Sequence, residues 1–576
     1  MKDSKKKILD LENNKNSKRI FLLTLENSLK FKGTASKKAV LNTAMAKIPE
    51  CRSDFKNTEK QVDLCVNYIN NLSYLEQTKL AKQYNIKQEK KQQKQINEFP
   101  DLQNAEIGKV VMRFAPNPNG PMSLGHSRIA LLNWHYVKKY KGKFILRFED
   151  TDPKIKPPLK QAYDWIKQDI EYLKIKPDEI YRQSEKFDIY YNLALKLIEQ
   201  GNAYVCICEK EKFRTLKNKK LECPCRNKSL LLHKQRWKMM FCKYRGGEAV
   251  LVLKTDIKHK NPAMRDFAIF RIIDTKNLNH PYLKNTTVWP LYDFASPVQD
   301  HLDGITHIIR GIDFLGREEK HKFLYDYFKW NLPQNIVAGK FLIKGVKSTS
   351  KIAELIDEGK IKSWDDPRTY SLLSLKKRGI NSNAIIDFVM SNGMKKSDIN
   401  VSLDILYAMN KKYVECKNRY FFVKNPIKMR ILNAPKIKKI EIPLHPEDKK
   451  RENRILNFEE NIFICLDDID LLKNAKKSNN QIRLKGLFNI KIENIKEDMI
   501  IAKYSSKKIE KGIKIIHWIS KNDSISINFV DEKNNKFIGL MEKNAINENG
   551  VVQFERVGFV NLIKKNKEIY AYFGHR

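Results

Sequence analysis

Residues 110 to 153, VVMRFAPNPNGPMSLGHSRIALLNWHYVKKYKGKFILRFEDTDP, restrict what this chain can fold into more than any other stretch. The apolar run Val110 to Phe114 reads as a buried strand, and the loop after it is dense in proline, asparagine and glycine. Ile129, Leu132 and Tyr136 then recur at helical spacing, so a helix covers Ser127 to Tyr140. Phe144 to Phe148 forms a second strand that ends in Glu149, Asp150 and Asp152. Strand, loop, helix and strand in so short a span open a parallel, doubly wound α/β sheet, whose ligands lie beyond the carboxyl ends of the strands. Gly125 and His126 fall where the loop becomes the helix. Backbone N–H groups and the positive end of the helix dipole make that point an anion site, and a glycine there lets a ring or phosphate approach the backbone.

These residues resemble the signature region of class I aminoacyl-tRNA synthetases, specifically the archaeal-type glutamyl enzymes and the related glutaminyl ones. The loop Pro116, Asn117, Pro118, Asn119, Gly120, Pro121, Met122 follows the family pattern, and Arg147, Glu149, Asp150, Thr151, Asp152 and Pro153 match its second block. The four-residue core of the first signature reads Ser123, Leu124, Gly125, His126, with a serine in place of the first histidine. Ala263 to Asp266, Tyr292, Arg310 and Trp364, Asp365, Asp366, Pro367, Arg368 continue the likeness over nearly the whole chain. Phe341 to Lys351 stands where the family keeps its mobile second signature; Val346, Lys347, Ser348, Thr349 and Ser350 then take its positions, with a threonine at the key lysine and Lys351 just beyond.

The resemblance implies a multidomain α/β protein with a class I Rossmann-type catalytic domain, a zinc-knuckle insertion, a helical N-terminal extension, a helical connector and an all-β anticodon-binding barrel region. The expected boundaries are 1–100 for the extension, 106–201 and 286–351 for the catalytic halves, 202–285 for an insertion that receives the tRNA acceptor stem, 352–425 for the connector and 426–576 for the barrels. It implies ligation of L-glutamate to tRNA(Glu) with ATP and Mg²⁺, through a glutamyl adenylate. Ser123, Gly125, His126, Lys347, Ser348, Ser350 and Lys351 would serve ATP, while Arg113, Asn117, Glu149, Tyr292 and Arg310 would hold the amino acid. A guanidinium clamp prefers a carboxylate to an amide, which favours glutamate over glutamine. A glutaminyl enzyme, a catalytically degenerate tRNA-binding paralogue motivated by Ser123 and Thr349, and additional charging of tRNA(Gln) remain the alternatives.

Composition adds independent constraints. A chain of 576 residues exceeds one hydrophobic core and divides into roughly three to five domains. Neither an apolar run long enough to span a membrane nor a secretory leader is present, so a cytoplasmic placement without a membrane partner is expected. Lysine and arginine number 110 against 67 acidic residues, a net +43 that suits a polyanion such as RNA. Cys206, Cys208, Cys223 and Cys225 form two tight pairs fourteen residues apart, the pattern of four thiolates closing on a structural Zn²⁺.

The first hundred residues read as helices over Ile20–Leu29, Lys37–Ala46 and Lys60–Gln83, followed by a charged linker from Lys87 to Gln95. The resemblance implies an appended module here, which would dock a protein partner, support tRNA binding or simply cap and stabilise the chain. A helix is expected only after Ala295, and residues 352–425 read as helical. Beyond Tyr420 the hydrophobic period becomes two, with strands at Tyr420–Val423, Lys438–Ile442, Asn461–Leu466, Gln481–Leu487, Met499–Tyr504, Lys514–Ile519, Ser524–Phe529, Val551–Phe554 and Ile569–Phe573. That is one or two β-barrels with lysine-rich connections able to grip RNA phosphates.

Overall fold

Four helices make most of the N-terminal unit: α1 (Lys15–Lys30), α2 (Lys37–Lys47), α3 (Phe55–Asn70) and α4 (Tyr74–Gln83). Ile20, Leu25, Val40, Ala44, Val62 and Ile69 form its core. The single helix expected over Lys60–Gln83 is two helices. Ser73 ends the first by capping the second: its Oγ accepts from the Glu76 amide and Glu76 accepts from the Ser73 amide. The signal, a serine three residues before a glutamate, was present in the sequence. The computed structural model describes residues 15–30, 33–84, 86, 99–448 and 450–576, so the linker expected at Lys87–Gln95 lies outside the described residues.

The second unit, residues 97–576, begins with the parallel sheet. Strand β1 (Val111–Phe114) leads through α5 (Leu124–Lys139) to β2 (Lys143–Phe148), and α6 (Lys160–Tyr172) leads on to β3 (Glu179–Arg182). These three strands are parallel, with Arg113 opposite Ile145 and Leu146 opposite Ile180. The chain then leaves the sheet for an antiparallel one, in the order β4 (Ala203–Cys206), β5 (Val250–Leu253), β6 (Phe267–Ile272) and β7 (Val288–Pro290). Helix α7 (Tyr292–Leu302) brings it back to the parallel pair β8 (His307–Gly311) and β9 (Gln334–Ala338). The Thr306 amide donates to the Val111 carbonyl, which seats β8 beside β1 and gives the order β3-β2-β1-β8-β9. That order reverses between β1 and β8, and ligands bind at such a switch point.

Helix α7 starts at Tyr292 rather than after Ala295. Pro297 lies inside it and forfeits one backbone bond without ending it, and the buried Phe294, Ala295 and Val298 hold the helix against the core. The connector contains α8 (Thr349–Asp357) and α9 (Leu372–Lys377), and it is not wholly helical: Ile399–Val401 pairs in parallel with Phe341–Ile343. No described helix is long and apolar enough to cross a membrane.

The β-rich end is two barrels. One sheet runs Arg419–Tyr420, Gly550–Phe554, Gly558–Lys565, Glu568–His575, Ser524–Val530, Lys536–Glu542, Phe422–Lys424. Its first and last strands are neighbours in the chain yet occupy opposite edges, so the sheet closes on itself. The other repeats the device with Lys514–Ile516 and Ile519–Ser520. The segments expected as single strands over Tyr420–Val423 and Lys514–Ile519 are therefore each split between two edges. The second barrel is inserted within the first, and strands such as Pro426–Leu432, Asn489–Ile495 and Gly558–Lys565, along with the helix Ile469–Lys477, escape the period-two reading. Buried Arg378 donates to the carbonyls of Phe573 and Gly574, fastening the C-terminal strand to the connector.

Candidate active site and cysteine cluster

The carboxyl ends of β1, β2 and β8 converge with α7 on a buried charge network. Arg113 on β1 donates from Nε to Asp300 Oδ1 (2.9 Å) and from Nη2 to Oδ2 (3.3 Å). Arg147 on β2 donates to Asp300 (2.8 Å), Glu149 (3.0 Å) and Asp303 (3.0 Å). Arg310 on β8 stands 3.8 Å from Asp300. The Asp300 side chain is 1 % exposed. Burial pushes its carboxyl up, but Arg113 and Arg147 overcome this and hold it well below the ordinary carboxylate value.

Three guanidiniums meet one central carboxylate and only two of them bond to it, so hydrogen-bonding capacity is left over. Arg310 carries it: its Nε and Nη1 are buried without a hydrogen-bond partner. Nearby, Glu149 Oε1 accepts from Ser296 Oγ (2.9 Å), and the Tyr292 phenol is raised by burial and by Glu149. Asn117 donates to the Glu149 carbonyl (2.9 Å) while its own Oδ1 is buried and unpartnered. The expected amino-acid residues Arg113, Asn117, Glu149, Tyr292 and Arg310 thus share one pocket. Asp300, Asp303 and Ser296 were not singled out from the sequence. Their spacing of four and three places them on one face of α7, but nothing local marks that face as the one that meets Arg113 and Arg147.

The other two carboxylates after β2 do not face this pocket. Asp150 is fully buried and accepts from the Ser184 amide, Ser184 Oγ and Tyr163. Asp152 pairs with Arg271 on β6 (2.5 Å), tying the antiparallel sheet to the parallel one.

The first signature is a rigid helix start. Ser123 is the N-cap of α5; its Oγ accepts from the His126 amide (3.2 Å), and His126 Nδ1 accepts from the Ser123 amide (3.4 Å). Half-buried His126 is lowered to about 4 by burial and by Lys156, so its ring is neutral at pH 7. With Nδ1 accepting, the proton sits on Nε2, which is left to donate. Ser123 therefore does more than replace a missing histidine: it orients the one that remains. Gly120 is needed for packing, because a Cβ there would lie 2.8 Å from the Trp364 ring and 3.1 Å from the Thr349 methyl.

The second signature is open. Gly345 takes a left-handed turn with φ +83°, and Ser348 caps α8 by accepting from the Lys351 amide (3.3 Å). Lys347 and Ser350 are exposed, and Lys351 Nζ pairs with Glu354 at the surface (2.6 Å). Thr349 is turned toward Gly120, so the two signature segments touch.

The four cysteines come together as their spacing implies. Cys206 and Cys208 flank the end of β4, and their sulfurs lie 3.4 and 3.5 Å from Cys223, with Cys208 3.8 Å from Cys225. All four ligand atoms fall within 4.8 Å of one another, the single such cluster of three or more potential ligands among the described residues. Zinc–sulfur bonds of about 2.3 Å set tetrahedral edges near 3.8 Å, so the donor set fits Zn²⁺. Arg236 Nη1 donates to Cys225 Sγ and the Cys225 amide to Cys223 Sγ, outer contacts that favour thiolates.

Comparison with known proteins bears directly on this geometry. A family model described as tRNA synthetases class I (E and Q), catalytic domain, matches residues 109–416, and its anti-codon binding domain counterpart matches 418–507. A glutamate–tRNA ligase of Pyrococcus furiosus is 42% identical over 570 residues, covering 96% of this chain and 98% of the relative. That of Archaeoglobus fulgidus is 40% identical over 96% of this chain and 99% of its own length. For Methanocaldococcus jannaschii the figures are 39%, 97% and 100%.

Proposed function

The chain belongs to the class I tRNA synthetases of the E and Q family, and from that premise we propose that it ligates L-glutamate to tRNA(Glu) at the expense of ATP. The observation that carries the choice of amino acid is Arg310, with two buried N–H-bearing nitrogens lacking a partner beside Glu149 and Tyr292. A side-chain carboxylate can accept from either of them and brings no N–H of its own. The amide of glutamine would turn an NH₂ toward a guanidinium and leave donors facing donors. Arg113, two of whose nitrogens are engaged by Asp300, offers Nη1 to the α-carboxylate. Glu149 has one oxygen taken by Arg147 and Ser296 and offers the other to the α-ammonium.

The α-carboxylate oxygen then attacks the α-phosphorus of ATP, and pyrophosphate leaves with the electrons of the broken P–O bond. Catalysis consists of alignment and of charge stabilisation, and no enzyme nucleophile is required. His126 donates from Nε2, the α5 N-terminus supplies backbone N–H groups beside Gly125, and the Ser123 hydroxyl proton is still free to turn to a phosphate oxygen. Lys347 and Lys351, with Ser348 and Ser350, approach the leaving pyrophosphate, whose charge the Mg²⁺ carried by ATP also offsets. A ribose hydroxyl at the tRNA terminus attacks the glutamyl carbonyl in the second step and releases AMP.

The cysteine cluster would hold Zn²⁺ through Cys206, Cys208, Cys223 and Cys225, fixing the insertion that meets the acceptor stem. The barrels would read the anticodon end, and the N-terminal helices offer a face for a protein partner. Purified protein should contain one zinc per chain. The main test is pyrophosphate exchange and charging with tRNA present. Glutamate should support both and glutamine neither; activity with glutamine alone would overturn the assignment, and charging of purified tRNA(Gln) would widen it.

A further inference from the structure

Beneath the first signature lies a buried carboxylate that this mechanism leaves unused. Asp169, in the last turn of α6, is 2 % exposed, and its Oδ2 accepts from the Met122 amide at 2.8 Å. Met122 is the residue before the Ser123 cap. Its carbonyl accepts from the Leu372 amide at 2.8 Å, and Ser123 forms a backbone bridge with Ser371. The peptide leading into Ser123 and His126 is thus gripped from both sides, by α6 through a charged side chain and by α9 through its backbone. Few other sites are so poor for a carboxylate. It is removed from water, and the last turn of α6 turns the negative end of the helix dipole toward it.

We propose that Asp169 is a positioning residue for adenylate formation. Its carboxylate fixes the Met122 amide, and with it the Ser123–His126 cap, in the arrangement that meets the phosphates. The proposal rests on the reading of this loop as the ATP site. Burial raises the Asp169 carboxyl to about 7, and the Met122 amide and Lys376 only partly offset it. The other groups facing it are Lys376 on α9 and Tyr172 on α6, whose ring lies under the Lys376 ammonium. Because the folded value lies above the ordinary 3.8, acidification from pH 8 to 5 favours the fold at this residue. The same acidification removes the charge that grips Met122, so stability and rate should move in opposite directions. His126, lowered to about 4, does not titrate in that window.

The test compares Asp169→Asn and Asp169→Leu with the full-length wild type. It measures pyrophosphate exchange at saturating ATP, Mg²⁺, glutamate and tRNA from pH 5.5 to 8.5. Deuterium uptake of the peptide spanning residues 115–126 is followed at each pH. Wild type should lose about tenfold in rate as pH falls from 8 to 5.5, levelling off where the carboxyl is protonated. Asp169→Asn carries no charge and cannot titrate, so like the protonated acid it should run about tenfold below wild type at pH 8 and lack that limb. Asp169→Leu should lose more than tenfold in kcat with glutamate KM little changed, and its 115–126 peptide should exchange faster at every pH. An acid limb that persists unchanged in Asp169→Asn would overturn the proposal, as would wild-type deuterium uptake in Asp169→Leu. A wild type silent in exchange at every pH would instead refute the functional reading, and the deuterium measurement would still decide the positioning claim.

Discussion

The amino-acid pocket and the second signature loop are both built around positive charge, and they manage it in opposite ways. In the pocket, Arg113, Arg147 and Arg310 are each no more than about 6 % exposed and share Asp300, Asp303 and Glu149. Around residue 349, Lys347 and Lys351 stand in solvent, one unpaired among the described residues and the other on Glu354. A buried charge without its partner costs several kcal/mol, so the pocket stands as a unit that cannot lose its shared carboxylate. An exposed lysine on a loop costs almost nothing to move, which is what the proposed use of Lys347 and Lys351 beside Thr349 requires.

Removing the hub is the severest way to test that contrast. Asp300→Asn leaves three guanidiniums buried around a neutral amide and should lower stability by about 3–5 kcal/mol, read from urea unfolding. The sign with pH follows from the depressed carboxyl. Asp300 contributes stability above the unfolded value of 3.8, and that contribution is lost only as pH falls through a folded value lying well below it. The variant should therefore be weakened at pH 7 and differ little from wild type in strong acid. An equal deficit at every pH would mean the network matters for shape and not for charge.

Arg310→Ala should come next. It leaves the fold nearly as stable as before, because Arg113 and Arg147 still neutralise Asp300. It should cut kcat/KM for glutamate by about a hundredfold or more, close to 3 kcal/mol, while saturation by ATP changes little. Better discrimination in favour of glutamate in this variant would break the assignment of Arg310 to the side-chain carboxylate.

The open loop should respond more gently. Lys347→Ala is expected to slow pyrophosphate exchange by about ten- to a hundredfold with glutamate KM unchanged. Lys351→Ala should cost only a few-fold, since its ammonium is already matched by Glu354. Equal losses in the two variants would show that the loop swings far enough to free Lys351, and wild-type rates in the double variant would remove both from catalysis.

Local pattern was enough wherever a residue's job is set by its neighbours in the chain. The β1–α5–β2 unit and the cysteine pairs were readable, because strand period, helix period and short-range ligand spacing survive in a linear sequence. So was the family pattern that placed Arg113, Glu149, Tyr292 and Arg310 among the candidates. Asp300 escaped notice because the guanidiniums it joins lie 187 and 153 residues away in the chain, beyond the reach of local pattern. The strands that close the barrels were read as single elements, because nothing in Tyr420–Val423 or Lys514–Ile519 records that the two halves pair with opposite edges.

Sequence by itself determined the locally patterned elements of this protein, its net charge and the chemistry its side chains can offer. Only the tertiary structure decided which charges are neutralised and which are left to receive a ligand. Asp150, Asp152 and Glu149 leave the same strand within four residues, yet the first is consumed by Ser184 and Tyr163, the second by Arg271, and only Glu149 faces the pocket. The physical reason is that burial and pairing depend on groups brought together from distant parts of the chain. Asp169 and Met122 are 47 residues apart, and Arg113 and Asp300 are 187.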